Sequence, residues 1–473
     1  MTLLVNQAAP SGLRLEERCA ESPLLVDGCL IDGAAFSQQK ISIAVTTHAT
    51  QSYYTHACLE SMREWKNSRH ELLVACHDGS LLLEYYLKAC VKEKLIDKLL
   101  FTPPSYGHTK GVNRCFAEAR GDFLFNVAND IMLGPAIVDD CADKLEHDPQ
   151  LGLIGWHWYN DGTFWEDGRI NRYKLRDDNN PDMNSQDEHN IRNAPWYTGR
   201  TFQALGGPKW LCLCNTAFFG IRREVWTKIG GFGDTYRHYW ADDFLNYAVL
   251  DQGLNVEAFE SKFKNDTYFS EFQYKNTHVE DRHRNLDWIP IPQKLETYLA
   301  FMEGGLVQKE RQLLYQIAKS IPDKSTVLHV GLWRGSALML FMAALKDAHF
   351  IGIDCFDMPE IAAYSAQPPV AMAEVLKYLK AFLSEKHTLQ LIKANTLEMS
   401  AFPRADVIFI DAGHTKECIE NDIRLAQAAI NPGGLLIFHD YGQSSWPDVQ
   451  KTIDAHFSKE KIRAFETLCV IEP

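Results

Sequence analysis

The stretch "STVLHVGLWRGSALMLFMAAL", residues 325–345, consists of an apolar run, a turn with two glycines and a longer apolar run. This pattern predicts a buried strand, a tight turn and an α-helix. Gly331 and Gly335 would let the backbone approach a ligand at the N-terminus of this helix, which Ser336 would cap. The stretch therefore predicts the first strand–helix unit of an α/β domain.

The next predicted strand ends in an acidic residue. "HFIGIDCF" (349–356) runs into Asp354, about 20 residues beyond the glycine turn, where this type of sheet hydrogen-bonds the hydroxyls of a ribose. The turn lacks the third glycine of the GxGxxG motif, which makes a dinucleotide the less favoured ligand. We therefore expect a ribose-containing ligand at this edge of the sheet.

Two later strands also end in polar groups. "VIFIDAGH" (407–414) and "LLIFHDY" (435–441) each pass from four apolar residues into ionisable ones. Because parallel strands bring their carboxyl ends to one edge, Asp411 and Asp440 are expected to converge. Two carboxylates suit Mg²⁺ or a similar ion, and His414 could then accept the proton of a metal-activated hydroxyl. The alternative for Asp411 is ordinary turn chemistry before a glycine.

In this order, the segments "GLWRGS", "IGID", "FIDAGH", "PGG" and "FHDY" resemble the class I S-adenosylmethionine-dependent methyltransferases. The closest group is the one that O-methylates sugar hydroxyls on natural products and glycans, and the resemblance covers residues 305–473. It implies a Rossmann-like fold in which Asn395 lies near the adenine. The residues that it implies for binding the methyl donor are Gly331, Gly335, Ser336, Asp354 and Asn395.

The same resemblance implies a divalent metal, Mg²⁺ or Mn²⁺, with Asp411, His439 and Asp440 as ligands and His414 as the catalytic base. This chain departs from some relatives at His439, where an acid is often found. A nitrogen ligand is softer than a carboxylate oxygen, so it would make the ligand set less suited to a hard cation such as Mg²⁺. The alternative is that His439 only packs against the edge of the sheet.

The N-terminal half alternates between strand-like and helix-like runs. "KISIAVTTHAT" (40–50), "YTHACLESMREWK" (54–66) and "ELLVACHDGS" (71–80) follow one another. This alternation predicts an α/β domain with a largely parallel sheet. We expect the following division: an N-terminal extension at 1–37, the first domain at 38–290, a linker at 291–304 and the second domain at 305–473.

Acidic residues also follow predicted elements of the first domain. "GDFLFNVAND" (121–130) is a strand that ends at Asp130, and "GGFGDTYRHYWADDF" (230–244) leads into Asp242 and Asp243. One acid could hold a cation that bridges two phosphates, and another could act as a base on an acceptor hydroxyl. Alternatively, Asp242 and Asp243 are acids in the first turn of a helix.

Residues 41–260 resemble the inverting GT-A glycosyltransferases of the rhamnosyltransferase-like family, which use a nucleotide-diphosphate sugar as donor. The resemblance implies a metal ligand at Asp130, a further metal or phosphate contact at His278, and a base at Asp242 or Asp243. The DxD motif is reduced here to "AND", with Asp130 as its only carboxylate. The residues implied to contact the nucleotide sugar are Thr46, Asp78, Asn113 and Asn129.

Composition limits the class of protein. The chain has 473 residues, 46% of them hydrophobic, and a net charge of −14. Its length favours two domains, and its acidity argues against a nucleic-acid or anionic-membrane partner. No run approaches the roughly 20 apolar residues of a membrane span, and the start lacks a secretory pattern. Twelve scattered cysteines fit reduced thiols in a cytoplasmic protein.

Together these features predict a bifunctional enzyme that transfers a sugar from a nucleotide donor and O-methylates a sugar hydroxyl. The acceptor would be a surface glycan or a glycosylated metabolite, and the enzyme could be a homo-oligomer. One alternative is an active O-methyltransferase whose GT-A domain is degenerate and only binds a glycan. Another is a non-catalytic scaffold, which would not bind S-adenosylmethionine.

Overall fold

The structure analysed is a computed structural model of the 473-residue chain. It describes residues 3–6, 30–32, 40–48, 52–77, 79–103, 106–134, 137–156, 185–208, 213–233, 241–259, 289–301, 305–358 and 369–472. The backbone forms two compact units. The N-terminal unit is Val26–Ile289, and the C-terminal unit is Pro290–Pro473 together with Met1–Leu25.

The first described strand of the chain, β1 (Leu3–Asn6), belongs to the C-terminal unit, where it pairs in parallel with residues Leu389–Ile392.

The described strands of the N-terminal sheet are β2 (Leu30–Asp32), β3 (Ile41–His48), β4 (His70–His77), β5 (Lys98–Thr102), β6 (Phe123–Ala128), β7 (Leu151–Trp156), β8 (Phe218–Arg222) and β9 (Asn255–Phe259). Their order across the sheet is β2-β5-β4-β3-β6-β8-β7-β9.

The described helices of the N-terminal unit alternate with these strands, as the sequence pattern predicts. β3 is buried along almost its whole length, which is typical of a parallel strand with both faces covered. The helices are α1 (Ser52–Arg63), α2 (Leu81–Lys92), α3 (Gly107–Glu118), α4 (Ile137–His147), α5 (Ser185–Arg192), α6 (Arg200–Leu205), α7 (Arg223–Ile229) and α8 (Ala241–Asp251).

The strand order of the N-terminal sheet reverses between β3 and β6. β3 pairs in parallel with β4 on one side and with β6 on the other. Their carboxyl ends therefore lie at one edge of the sheet and leave a crevice between the two strands, which is where open α/β sheets bind ligands.

The sheet of the C-terminal unit has the order β1-β12-β11-β10-β13-β14-β16-β15 in the described part of the chain. The five strands β10 to β14 run parallel, and β16 is antiparallel to β14 and to β15. The strands after β9 are β10 (Thr326–Val330), β11 (His349–Asp354), β12 (Thr388–Lys393), β13 (Ala405–Ile410), β14 (Ile430–Phe438), β15 (Ile462–Phe465) and β16 (Leu468–Ile471).

One hydrophobic core of the C-terminal unit lies between this sheet and two helices. Leu328, Ile408 and Leu436 from the strands pack with Ile423 and Ile453 from the helices. The described helices of this unit are α9 (Gln293–Phe301), α10 (Gln308–Ser320), α11 (Ser336–Ala344), α12 (Met372–Leu379), α13 (Lys416–Ala429) and α14 (Pro447–His456). The strand order reverses between β10 and β13, so the ligand crevice is expected at their carboxyl ends.

The predicted fold class, two α/β units on mostly parallel sheets with a Rossmann-like second unit, is confirmed. The observed division differs from the predicted one at two places. β1 and β2 fall within residues 1–37, where we expected only an extension, and α9 occupies most of the expected linker at 291–304. Strands of three or four residues are too short to show a periodic pattern. Within the described residues, every helix is too short or too polar to span a bilayer.

Candidate functional site

The glycine turn after β10 lies at the switch point of the C-terminal sheet. Gly331 has a φ of 83°, and a Cβ atom at this position would overlap the carbonyl oxygen of Asp411. Glycine is therefore required here because the turns after β10 and β13 are in direct contact. The amide of Asp411 also donates to the carbonyl of Val330 at 2.9 Å, which holds the two strand ends together.

The helix that follows begins differently from the prediction. Gly335, with a φ of 84°, occupies the N-cap position of α11, and no side chain caps this helix. Ser336 is the first helical residue, so the predicted capping role of its hydroxyl is wrong. Without a capping side chain, the amides of the first turn can donate to a ligand. The predicted contact of Ser336 with the methyl donor stays a prediction.

Asp354 ends β11 and reaches back to the glycine turn. Its carboxylate accepts hydrogen bonds from the amides of Trp333 at 2.8 Å and Phe356 at 2.5 Å. Burial raises the pKa of Asp354, although these backbone hydrogen bonds oppose the shift. The predicted binding of a ribose diol by this carboxylate stays a prediction.

Asn395 follows the neighbouring strand, β12. Its side-chain oxygen accepts a hydrogen bond from the amide of Leu397 at 3.1 Å and caps the 3₁₀ turn Thr396–Glu398. Asp354 and Asn395 thus lie beyond the carboxyl ends of two adjacent parallel strands. The predicted position of Asn395 near an adenine stays a prediction.

The turns after β13 and β14 bring three ionisable side chains together. One ligand atom from each of Asp411, His414 and Asp440 lies within 4.8 Å of the others, and all three side chains are half-buried. His414 Nε2 lies 2.7 Å from Asp440 Oδ2. Asp440 has a positive φ of 60°, a conformation that non-glycine residues adopt rarely and mostly at functional sites.

His439 lies next to the two aspartates, and its predicted role as a metal ligand stays a prediction. It is only 7% exposed, and its Nδ1 lies 3.1 Å from Asp411 Oδ1 and 3.5 Å from Asp440 Oδ2. Burial would lower the pKa of His439, but the neighbouring carboxylates of Asp411, Asp440 and Glu310 raise it well above its ordinary value. The His439 ring therefore lies directly beside both aspartates, with its Nδ1 turned toward Asp411.

The two histidines also act on Asp440. Burial would raise the pKa of this carboxyl, yet hydrogen bonds with His414 and His439 hold it well below its usual range. Asp440 is therefore an anion under all ordinary conditions. It can fix the orientation of the His414 ring and attract a cation at the same time.

Sequence reasoning missed two residues of this site. The indole of Trp446 stacks on the ring of His414, with centroids 4.3 Å apart and an interplanar angle of 17°. Glu310 of α10 lies behind His439, with its Oε2 at 3.5 Å from His439 Nε2. No local motif signals either contact, because both depend on how distant segments pack.

In the N-terminal unit, Thr46 and Asn129 lie near the carboxyl ends of β3 and β6. Thr46 Oγ1 is 2.8 Å from His108 Nδ1. The side-chain nitrogen of Asn129, Nδ2, donates to Thr55 Oγ1 at 3.1 Å and to Thr47 Oγ1 at 3.3 Å. Both predicted residues are thus at the expected edge of the sheet and are held there by neighbouring side chains.

Asn113 has a clear structural role. Its amide nitrogen donates to the carbonyl of Phe232 at 2.8 Å, and its oxygen accepts from the amide of Phe232 at 3.0 Å. The side chain thereby ties α3 to the loop after α7. Contact of Asn113 with a nucleotide sugar stays a prediction.

The acids of the N-terminal unit lie on different elements. Asp242, in the first turn of α8, accepts a hydrogen bond from the amide of Thr216 at 2.5 Å, and burial raises its pKa. Asp243 is buried, and Asp130 is half-buried in the turn after β6. Asp78 and His278 lie outside the described residues.

Comparison with known proteins finds a family match within the C-terminal unit. Residues 328–441 match the model of a family described as a methyltransferase domain. A stretch of 144 residues is 27% identical to an uncharacterized protein of Acanthamoeba polyphaga mimivirus, over 28% of this chain and 59% of that protein. The chain therefore spans less than two thirds of the length of this relative.

Two solved structures are similar to parts of the chain. The TDP-rhamnose 3′-O-methyltransferase CalS11, an enzyme in calicheamicin biosynthesis, is 12% identical over 38% of this chain and 92% of its own, with a TM-score of 0.27. The mannosyltransferase PcManGT from Pyrobaculum calidifontis, solved with GDP-Man and Mn²⁺, is 11% identical over 63% of this chain and 76% of its own, with a TM-score of 0.32.

The family match extends from β10 to the turn after β14, so it includes the glycine turn and the acidic strand ends. Over residues 328–441 the C-terminal unit is therefore similar to a methyltransferase domain.

Proposed function

We propose that the C-terminal unit transfers a methyl group from S-adenosylmethionine to a hydroxyl oxygen of a sugar-containing acceptor. The observation that carries this proposal is the cluster of Asp411, His414 and Asp440 next to the glycine turn of a methyltransferase domain. A base beside two carboxylates suits a hydroxyl acceptor, whose proton must be removed for its oxygen to attack the methyl group.

A hydroxyl must lose its proton to become a good nucleophile, and His414 is arranged to accept that proton. When its Nε2 donates to Asp440, the lone pair lies on Nδ1. Asp440 then fixes the tautomer and stabilises the imidazolium that forms, as in other base–carboxylate pairs. Trp446 covers one face of the ring and restricts its rotation. The ring of His414 is thus oriented before the sugar-containing acceptor binds.

The residues present fit both groups that the proposed reaction would use. S-Adenosylmethionine would lie along the turn from Gly331 to Gly335, with Asp354 at its ribose, and it supplies an electrophilic methyl group. Asp411 and Asp440 would hold a divalent cation, which supplies Lewis-acid stabilisation of an oxyanion. Two carboxylates beside one imidazole suit Mg²⁺ or Mn²⁺.

Methylation should depend on His414. The full-length protein would be incubated with S-adenosylmethionine and a panel of sugars, glycosides and nucleotide sugars, with S-adenosylhomocysteine release followed by mass spectrometry. His414→Gln should lower the rate about 10²–10⁴-fold, while calorimetry finds S-adenosylhomocysteine affinity within about twofold of the wild type. His349→Gln, at an exposed position at the start of β11, is the matched control. A His414→Gln variant with the wild-type rate would refute the role of this base.

The metal has a separate test. Excess chelator should abolish methylation, and Mg²⁺ or Mn²⁺ should restore it, because Asp411 and Asp440 otherwise repel each other across the site. Full activity in the presence of chelator would show that these two carboxylates work without a metal.

We also propose that the N-terminal unit transfers a sugar from a nucleotide-diphosphate donor with inversion. Asp242 supports this proposal, since a half-buried carboxyl with a raised pKa at the start of a helix is suited to act as a base. Asp130 would hold the metal on the diphosphate. The second candidate is a degenerate unit that only binds a glycan, which the reduced DxD motif favours.

A panel of nucleotide sugars separates these two candidates. Donor hydrolysis or transfer that is lost in Asp130→Ala, and transfer that is lost in Asp242→Asn, would support catalysis. Glycan binding without turnover of any donor would support the binding module and contradict the transfer reaction.

A further inference from the structure

Glu310 is a buried carboxylate behind the methyltransferase site. Its side chain is fully buried at the start of α10. Oε2 accepts a hydrogen bond from the amide of Val307 at 2.8 Å, and Oε1 accepts from the amide of Thr467 at 2.9 Å and also from its hydroxyl. These contacts fix the position of the carboxylate but leave Oε2 facing the ring of His439.

His439 connects this carboxylate with the site. Its Nε2 lies 3.5 Å from Glu310 Oε2, while its Nδ1 lies 3.1 Å from Asp411 Oδ1 and 3.5 Å from Asp440 Oδ2. Asp440 in turn holds His414 at 2.7 Å. A continuous row of side chains therefore leads from the interior of the unit to the base.

We propose that Glu310 is a positioning residue for the methyl transfer and acts through His439. This inference rests on the proposed function of the Asp411–His414–Asp440 cluster. Partners behind ligating carboxylates restrict their rotation, and losing such a partner typically lowers metal affinity or activity about 10–100-fold. Glu310 supplies the negative charge that keeps His439 pointed at both aspartates.

Glu310 also has an ordinary structural role, since it caps α10 and binds Thr467. The matched control is therefore Thr467→Val, which removes the hydroxyl contact to Oε1 and leaves the side of the carboxylate that faces His439 intact. A purely structural role predicts that Glu310→Gln and Thr467→Val lower thermal stability and leave the site unchanged.

The first experiment needs neither metal nor acceptor. A double-mutant cycle of Glu310→Gln and Asp411→Asn would be measured on the unfolding equilibrium of the full-length protein in chelator. We expect a coupling of at least about fivefold in the unfolding constant, which disappears when the cycle is repeated with His439→Gln. Additive effects, or coupling that persists without His439, would overturn the proposal.

The second experiment measures Mn²⁺ binding by electron paramagnetic resonance. Glu310→Gln should weaken Mn²⁺ affinity about 10–100-fold, whereas Thr467→Val should stay within about twofold of the wild type. Once an acceptor is known, Glu310→Gln should lower kcat more than Thr467→Val does, while the KM for the acceptor is unchanged. Wild-type Mn²⁺ affinity in Glu310→Gln would overturn the positioning role. If the wild-type protein binds no Mn²⁺, the proposed metal is wrong, and the double-mutant cycle alone decides the role of Glu310.

Discussion

At the scale of single residues, Asp422 shows how strongly burial controls ionisation in the C-terminal unit. This acid of α13 is 1% exposed, and neither oxygen has a hydrogen bond of good geometry among the described residues. Burial raises its pKa to about 6, although Thr396 and Asn421 lie close enough to lower it in part. The carboxyl therefore titrates nearer neutral pH than an exposed aspartate.

This shift makes stability depend on pH in a definite direction. Between the unfolded pKa near 3.8 and the folded pKa of about 6, the native state binds more protons, so Asp422 destabilises the fold as pH rises through this window. The shift corresponds to about 3 kcal/mol. Asp422→Asn should therefore stabilise the protein by about 1–3 kcal/mol at pH 8, and the gain should nearly vanish at pH 4.

Urea unfolding at pH 4, 6 and 8 would measure this effect. A stability difference between Asp422→Asn and the wild type that is the same at every pH would mean that the carboxyl is not perturbed by burial.

At the scale of elements, the C-terminal site depends on the contact between the turns after β10 and β13. Gly331 and Gly442 have nearly the same backbone conformation, with φ values of 83° and 82°. Their surroundings differ, because a Cβ at Gly331 would meet Asp411 and Ala412, whereas a Cβ at Gly442 would have nothing within 4 Å. Alanine substitutions at these two glycines therefore distinguish the effect of backbone strain from the effect of the close approach of two turns.

Gly442→Ala should lower the free energy of unfolding by about 1–2 kcal/mol, the strain of a left-handed alanine. Gly331→Ala should lower it by more than about 3 kcal/mol, because the overlap adds to the same strain. It should also weaken S-adenosylhomocysteine binding, since the turns must separate. Both quantities can be measured by denaturant unfolding and calorimetry. Equal losses in the two variants would show that the turns tolerate separation.

At the scale of the whole molecule, the first residues of the chain complete the sheet of the last unit. β1 pairs with β12 at the edge of the C-terminal sheet, although the whole N-terminal unit lies between them in the sequence. An edge strand satisfies backbone groups that would otherwise face solvent. The two ends of the chain are therefore parts of one folding unit.

Deleting residues 2–6 should expose β12 as the new edge. We expect faster hydrogen exchange in Thr388–Lys393 and a loss of about 1–3 kcal/mol in the stability of the C-terminal unit. Mass spectrometry of the exchanged protein would measure hydrogen exchange in β12, with β13 as the internal control. Denaturant unfolding would measure the loss of stability. Unchanged protection of β12 would indicate that β1 contributes no stability.

Much of the fold could be predicted from local pattern. The apolar runs that end at Asp354, Asp411 and Asp440 lie on parallel strands of one sheet, and their carboxyl ends meet at one edge. The exact bounds of the site could not be predicted in this way. Ser336 proved to follow the N-cap, and the contacts of Trp446 with His414 and of Glu310 with His439 were not foreseen.

The sequence by itself determined the long apolar runs that form the central strands and which of those strands end in acids, because burial in a sheet favours continuous apolar residues. The tertiary structure alone decided that β1 forms an edge strand of the C-terminal sheet, that Trp446 stacks on His414 and that Glu310 contacts His439. These contacts join residues that are separate in the sequence, and their geometry depends on how packed elements exclude water from one shared interior.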